Sequence, residues 1–171
     1  MIATLTQTTR LLLLALLTMS IVACGFQLRG QANMPAKLKK ITLTSESGSD
    51  SFDRSLRIAL TKAGVVIIDK ANANKNTFNL KINPITKVDI ELARDMDNDL
   101  SQLQRRLTSH YFVRQADGKS VYGPRTISTT QTLTNQNAEE SAKISYNQAQ
   151  EDSMNEDLAN RLVYDLSYAP L

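Results

Sequence analysis

The sequence predicts an α+β fold in which two helices pack on one face of a mixed β-sheet, an αβ sandwich. Three observations lead there. Apolar residues recur at helical spacing in one stretch beginning near Ser51 and in another running to about Ser167. Between them, long segments alternate apolar and polar side chains with a period of two. Asp117-Gly118, a strong hairpin turn pair, divides the longest of these segments. The resulting order is strand, helix, strand, several long strands, helix, without an internal repeat, and it suits helices layered on a single sheet.

Each element has its own local warrant. Lys37 to Thr44 reads as a strand with Leu38, Ile41 and Leu43 as its apolar residues. Ser45 to Ser51 is a Ser/Gly/Asp loop that offers Ser49, Asp50 or Ser51 as a helix N-cap. Phe52, Leu56, Ala59, Leu60 and Ala63 then form one apolar stripe, and Gly64 stands where a glycine closes a helix. Val65 to Ile68 is expected to be a short buried strand, followed by an Asn/Lys-rich turn region from Asp69 to Thr77.

Phe78, Leu80 and Ile82 alternate, Pro84 interrupts, and Val88, Ile90 and Leu92 resume the alternation. A proline inside such a run signals an edge strand or a bulge. Asp95 to Asp99 is an acidic loop tip. The next strand sets Leu103, Leu107, Tyr111 and Val113 against Gln104, Arg106, Thr108, His110 and Arg114 on its other side. Lys119 to Leu133 is a Thr-rich strand with Tyr122, Ile127 and Leu133 for packing, and strands this polar are covered on one face only. Asn137 to Glu140 reads as a capping box ahead of the last helix, whose apolar face is Met154, Leu158, Leu162, Val163 and Leu166.

The start of the chain carries a different message. Leu11 to Val22 is almost uninterrupted apolar sequence behind Arg10, but a membrane-spanning helix takes about 20 such residues. Basic flank and length fit a secretory signal peptide. In place of an A-x-A cleavage site stands Ile21-Val22-Ala23-Cys24, which resembles the bacterial lipobox. That resemblance implies cleavage before Cys24 and acylation of its thiol and amino group with S-diacylglycerol and N-palmitoyl chains. Several acyl chains anchor a protein stably where one binds reversibly. Gly25, rather than aspartate, follows the cysteine, and in proteobacterial lipoproteins this favours the outer membrane over the inner. The expected organisation is a signal peptide at 1–23, a lipidated N-terminus and connector at 24–36, and a single α/β-sandwich domain at 37–171.

Composition narrows the rest. A chain of 171 residues shortened by its leader leaves one domain's worth of core. Cys24 is the single cysteine, so no internal disulfide is expected. The formal charge of +3 is close to neutral and there is no dense Lys/Arg block, which argues against a nucleic-acid partner. Catalysis is not expected. His110 is the single histidine and sits mid-strand among polar neighbours, reading as solvent-facing. No phosphate loop, Gly-x-Ser-x-Gly elbow, metal-ligand spacing or cofactor motif is present. Asp95, Asp97 and Asp99 alternate as in part of a calcium loop, but the required glycine and terminal glutamate are missing. Glu151, Asp152, Glu156, Asp157 and Asp165 of the last helix read as a solvated face.

The basic residues offer more. Lys37, Lys39 and Lys40 lie at the first strand, Arg94 and Arg105-Arg106 bracket the acidic tip, and Arg114 and Arg125 flank the Asp-Gly turn. Guanidinium groups match phosphate bidentately, and the anionic ligand at an outer membrane is the phosphorylated glycolipid lipopolysaccharide.

Immediately after the acylated position the chain reads Cys24-Gly25-Phe26-Gln27-Leu28-Arg29-Gly30. This resembles the Cys-Gly-(aromatic)-x-Leu-Arg-(Gly/Asp) opening of the LptE/RlpB family of LPS-assembly lipoproteins, and the order of elements is similar along nearly the whole mature chain. The resemblance implies a small α/β sandwich that sits inside the lumen of the β-barrel LptD as a plug. It further implies a part in inserting lipopolysaccharide, or lipooligosaccharide, into the outer leaflet of the outer membrane. By position Arg94 and Lys143 are the implied lipopolysaccharide contacts, with Arg105 and Arg106 as the alternative pair. The chain departs from some relatives in having Phe26 where tryptophan also occurs and in ending just after its last helix. The competing reading is a stand-alone, periplasm-facing lipoprotein that binds a ligand or a cell-envelope component. A lipid-anchored hydrolase is disfavoured by the lack of a nucleophile–base set.

Overall fold

A computed structural model describes residues 34–171. The expectations for the signal segment 1–23, for Cys24 and for the motif through Gly30 fall outside these residues.

A 3₁₀ turn, Ala36–Leu38, precedes β1 (Lys40–Ser45), so the first strand begins later than its apolar residues suggest, and Leu38 reaches the core from the turn. Helix α1 (Asp50–Lys62) is capped by Ser49, whose Oγ accepts from the Phe52 amide at 3.2 Å. It ends in a Schellman arrangement, with Val65 N donating to Leu60 O and Gly64 N to Thr61 O, both at 3.0 Å. Gly64 takes φ +78° there, a conformation that costs glycine little. The helix crosses over to β2 (Val66–Ile67), which pairs parallel with β1. The expected buried strand is thus two residues long and lies at the sheet edge, where Val66 is exposed and Val65, at the helix stop, is the buried residue.

β3 (Phe78–Ile82) lies parallel to β1 on its other side, and β5 (Leu100–Arg114) runs antiparallel to β3. β4 (Thr86–Arg94) follows β3 along the same flank of β5, and β6 (Ser120–Leu133) covers the opposite flank. One mixed six-stranded sheet results. Helix α2 (Glu140–Ser167) closes the chain and packs against α1 and the strands β5 and β6. Its 28 residues span about 42 Å and the 15 of β5 about 50 Å, so the helix runs nearly the full length of the central strand.

The dry core fills one half of this length. Phe52, Leu56 and Leu60 of α1 meet Leu158, Leu162 and Leu166 of α2 above Ile41, Leu80, Ile82, Leu107 and Tyr111 of the sheet. Over the other half, the first turns of α2 bury no apolar residue and are held by polar side chains. Tyr146 Oη accepts from the Thr134 amide, Gln136 and Asn147 exchange amide hydrogen bonds, and Gln131 donates to Gln150. Asn137 is not the cap of α2. Its amide donates to Asp95 at 3.0 Å across the sheet end, and the helix begins after Glu139 without a side-chain cap.

The ladder is offset at Pro84, twice between Glu91 and Arg94 and twice between Tyr111 and Arg114, and two of these offsets set the faces. Ile82 pairs with Tyr111 and Thr86 with Thr108, so the segment around Pro84 carries one residue more than β5 opposite it. Asn83 N donates to His110 O and Ser109 Oγ donates back to Asn83 O at 2.8 Å, while Ile85 N donates to Ser47 O. Because side chains alternate, one extra residue exchanges the two faces. Leu80 and Ile82 therefore point at the helices, whereas Val88 and Ile90, of the same parity, point away from them. The second offset, at Gly123, returns the Tyr122 ring toward the core, 6.2 Å from that of Tyr111.

Gly123 has φ +102°, and a Cβ there would lie 2.7 Å from the Tyr111 carbonyl oxygen. Gly123→Ala is expected to lower unfolding free energy by about 2–4 kcal/mol, read as a lower denaturant midpoint. A midpoint equal to that of the parent chain would contradict the close approach.

Candidate functional site

The chemistry-bearing residues gather at the end of the sheet beyond Pro84, where β4, β5, β6 and the first turns of α2 meet. Helix-facing and open faces of the three strands differ sharply.

On the helix side, Arg105 is 8% exposed. Its Nε and Nη2 form a bidentate pair with Asp89, directly opposite on β4, at 2.8 and 2.6 Å, and its Nη1 reaches Glu151 of α2 at 3.1 Å. Lys87 also bonds Glu151. The guanidinium holds the Asp89 carboxyl below its ordinary range, and the pair in turn raises Arg105. Further along, Tyr111 Oη donates to Asp165 Oδ2 at 2.6 Å, and Arg125 adds Nε and Nη2 contacts at 3.0 and 2.6 Å to the same carboxylate. Arg125 first, then Tyr111, depress the Asp165 pKa against the effect of burial; burial and the neighbouring carboxylate push the Tyr111 phenol up. Thr129 Oγ1 donates to Asp157 at 2.6 Å. Glu151, Asp157 and Asp165 are therefore not a solvated face. The helix lies over strands rich in inward arginine, threonine and tyrosine, and its carboxylates turn in to bond them.

On the open side, Arg106 stands opposite Val88 and its Nε donates to Thr130 Oγ1 at 3.2 Å, a neutral partner. β5 and β6 contain no carboxylate at all. Their outward residues are mostly hydroxyls, amides and arginines, with Phe112 beneath the Arg114 guanidinium and with His110, which is exposed and bonds Thr126 through Nδ1. Val88, Ile90 and Leu92 are 48%, 53% and 49% exposed along β4.

The four sequence-derived basic residues thus part company. Arg94, at the end of β4, is paired with Glu91 at 2.7 Å and donates to Asn98 O, tying down the hairpin tip. Lys143, in the first turn of α2, pairs with Glu140 at 2.6 Å. Arg94 and Lys143 share this end of the molecule, joined through the Asp95–Asn137 bond and the Gln136 amide on Ser101 O at 3.1 Å. Arg105 and Arg106, adjacent in sequence, project to opposite faces. Sequence reasoning missed the outward aim of Val88 and Ile90; the one available signal was Pro84. Among the described residues no cluster of three or more His, Cys, Asp or Glu is placed to hold a metal ion. No helix among them is long and apolar enough to cross a membrane.

No protein-family model matches the chain. The LPS-assembly lipoprotein LptE of Photorhabdus laumondii is 30% identical over 155 residues, which is 91% of this chain and 83% of that relative. The chain belongs to the LptE family. Solved structures agree with the fold of this LptE-family chain. The minor lipoprotein of Acinetobacter baumannii matches with a TM-score of 0.65 at 19% identity, covering 76% of this chain and 91% of that one. The rare lipoprotein B of Shewanella oneidensis matches with a TM-score of 0.63 at 15% identity, covering 75% and 93% respectively.

Asp89 and Asp165 both have folded-state pKa values below the ordinary carboxylate range. Their stabilisation is therefore complete above that range and lost as the pH falls through and below it. Asp165→Asn is expected to cost about 1–3 kcal/mol at neutral pH and to flatten the acid limb of a stability–pH curve. An acid limb as steep as the parent's would place the responsible carboxylate elsewhere.

Proposed function

We propose that this chain is a non-catalytic lipoprotein of the outer membrane, anchored through acylated Cys24, that plugs and helps assemble the LptD β-barrel. In that complex it takes part in moving lipopolysaccharide or lipooligosaccharide into the outer leaflet. The observation that carries this reading is the open sheet face. A body lodged in a water-lined barrel lumen has to present a broad hydrogen-bonding surface. The outward hydroxyls of Thr126, Ser128, Thr130 and Thr132, beside Gln104 and Thr108, supply such a surface. Family membership supports the same role. A stand-alone ligand binder would bring an apolar pocket, whereas the groove between the helices is lined by Ser51, Arg54, Asp152 and Glu156 and is polar and open.

Purification of the native lipoprotein from detergent-solubilised outer membrane should bring down a large β-barrel partner; recovery without one would overturn the assignment. Arg94 and Lys143 are the proposed glycolipid contacts at the shared end. Reversing both, Arg94→Glu with Lys143→Glu, should weaken lipopolysaccharide capture at least roughly tenfold, since charge-assisted contacts contribute about 1.5–3 kcal/mol each. Undiminished capture would remove them from the site. Cys24→Ala, expressed without the barrel partner, should leave the protein outside the membrane fraction, because no acyl chain then anchors it; sedimentation with the membrane equal to the parent's would contradict the anchor.

A further inference from the structure

We propose that an exposed apolar strip of β4, the outward Val88 and Ile90 with the exposed Leu92 next to them, seats an acyl chain of the phosphorylated glycolipid, with Arg106 beside it to receive a phosphate. The inference rests on the assignment above and adds a subsite separate from Arg94 and Lys143.

The strip is built into the register. β4 has a charged set, Lys87, Asp89 and Glu91, and an apolar set, Val88, Ile90 and Leu92. In a sheet with one covered face the apolar set turns inward, because each such side chain contributes about 1.5–3 kcal/mol on full burial. Here the extra residue at Pro84 turns Val88 and Ile90 outward, and the buried hydroxyl of Ser109 holds that segment in place; Leu92, within the register shift between Glu91 and Ala93, is exposed as well. Val88 to Leu92 covers about 13 Å of strand, a length suited to an extended hydrocarbon segment. At the hairpin tip beyond it, Met96 is fully exposed.

The electrostatics select the occupant. Arg105, on the helix face, is neutralised by Asp89 and Glu151. Among the described residues Arg106, on the open face, has a threonine hydroxyl as its side-chain partner, and β5 and β6 place no carboxylate near it. An apolar strip flanked by a cation that no described carboxylate pairs is complementary to an amphipathic anion. A second copy of the chain would bring two Arg106 side chains together, and like-charge juxtaposition opposes association. A polar barrel lumen offers hydrogen bonds that Val88 and Ile90 cannot use. A phosphorylated, acylated lipid satisfies both the strip and the arginine.

The test uses the full-length lipoprotein with its native anchor in outer membranes. A photoreactive phenylalanine analogue replacing Ile90 should, on irradiation, give an adduct carrying lipopolysaccharide, whereas the same analogue replacing Lys119 at the opposite hairpin should not. An adduct at position 90 with the barrel alone, or with a second copy of the lipoprotein, would overturn the proposal. So would a lack of any adduct. In parallel, Val88→Thr with Ile90→Thr, which keeps strand propensity, and Arg106→Gln should each lower lipopolysaccharide retained on the purified lipoprotein by roughly tenfold, with co-purification of the barrel unchanged. Equal retention, or loss of the barrel, would overturn the subsite. Failure of the broader assignment reads differently: the unaltered lipoprotein would then bring down no barrel at all.

Discussion

The single extra residue at Pro84 decides what each face of this protein presents. Up to Ile82 the strand feeds the common core through Leu80 and Ile82; from Thr86 to Ile90 the same parity faces solvent. The slip places Asp89 on the helix side, opposite Arg105 and within reach of α2, and leaves Arg106 facing outward. Had the ladder continued unbroken, Val88 would face α2 and Asp89 would lie on the open sheet. The charge network, the outward apolar strip and the polar covering by the first turns of α2 all follow from that offset. Its anchors are modest in themselves, three hydrogen bonds to Asn83 and Ile85, but every residue of β4 depends on them.

That division gives the molecule two halves of different character. Toward the C-terminal turns of α2, leucines from both helices interdigitate above the sheet, and the Tyr111–Asp165–Arg125 group closes the polar margin of that core. Toward its N-terminal turns, Leu103 and Leu133 face each other across β5 and β6 outside the main cluster, and the contact with α2 is made by amides, hydroxyls and the ion pairs of Arg105 and Lys87 with Glu151. Regions held by few apolar contacts open at lower free energy than packed cores. The end that carries Arg94, Lys143 and the β4 strip is therefore the end best able to adjust to an incoming partner, while the packed half keeps its strands in place.

Much of this was legible in the chain. The helical stripes of Phe52–Ala63 and Met154–Leu166, the glycine stop at Gly64, the Asp-Gly hairpin and the inward set Leu103, Leu107, Tyr111 and Val113 all depend on local spacing, and local spacing is what a sequence displays. The misreadings share one cause. Asn137 has cap chemistry, but Asp95, distant in sequence, takes its amide. Glu151 and Asp165 look solvated on a helical wheel, yet the strands beneath them offer Arg105, Arg125 and Tyr111. Val65 to Ile68 has the composition of a central strand and becomes an edge because β1 pairs with β3 on its other side. Period-two alternation states which residues share a face, and it is silent on which face that is. Only the register assigns it, and a bulge resets it partway along.

Arg105 explains why the offset persists. An ion pair with one buried partner adds little net stability, since desolvation of Arg105 consumes much of the Coulombic gain, whereas removing Asp89 would leave the buried guanidinium short of a partner. The asymmetry makes the pair a selector of register more than a source of binding energy. In the observed ladder Asp89 meets Arg105 with bidentate geometry and Glu151 completes the set. Shifting β4 by one residue would bury Val88 or Ile90 in its place, a gain of about 1.5–3 kcal/mol for each side chain fully covered, but would leave Arg105 inside without Asp89. At the edge, where α2 covers β4 only in part, the apolar gain is reduced, and it is set against the loss of the bidentate Asp89 contact from a guanidinium left with Glu151 alone. The apolar strip is outward because the arginine beneath it has to be answered.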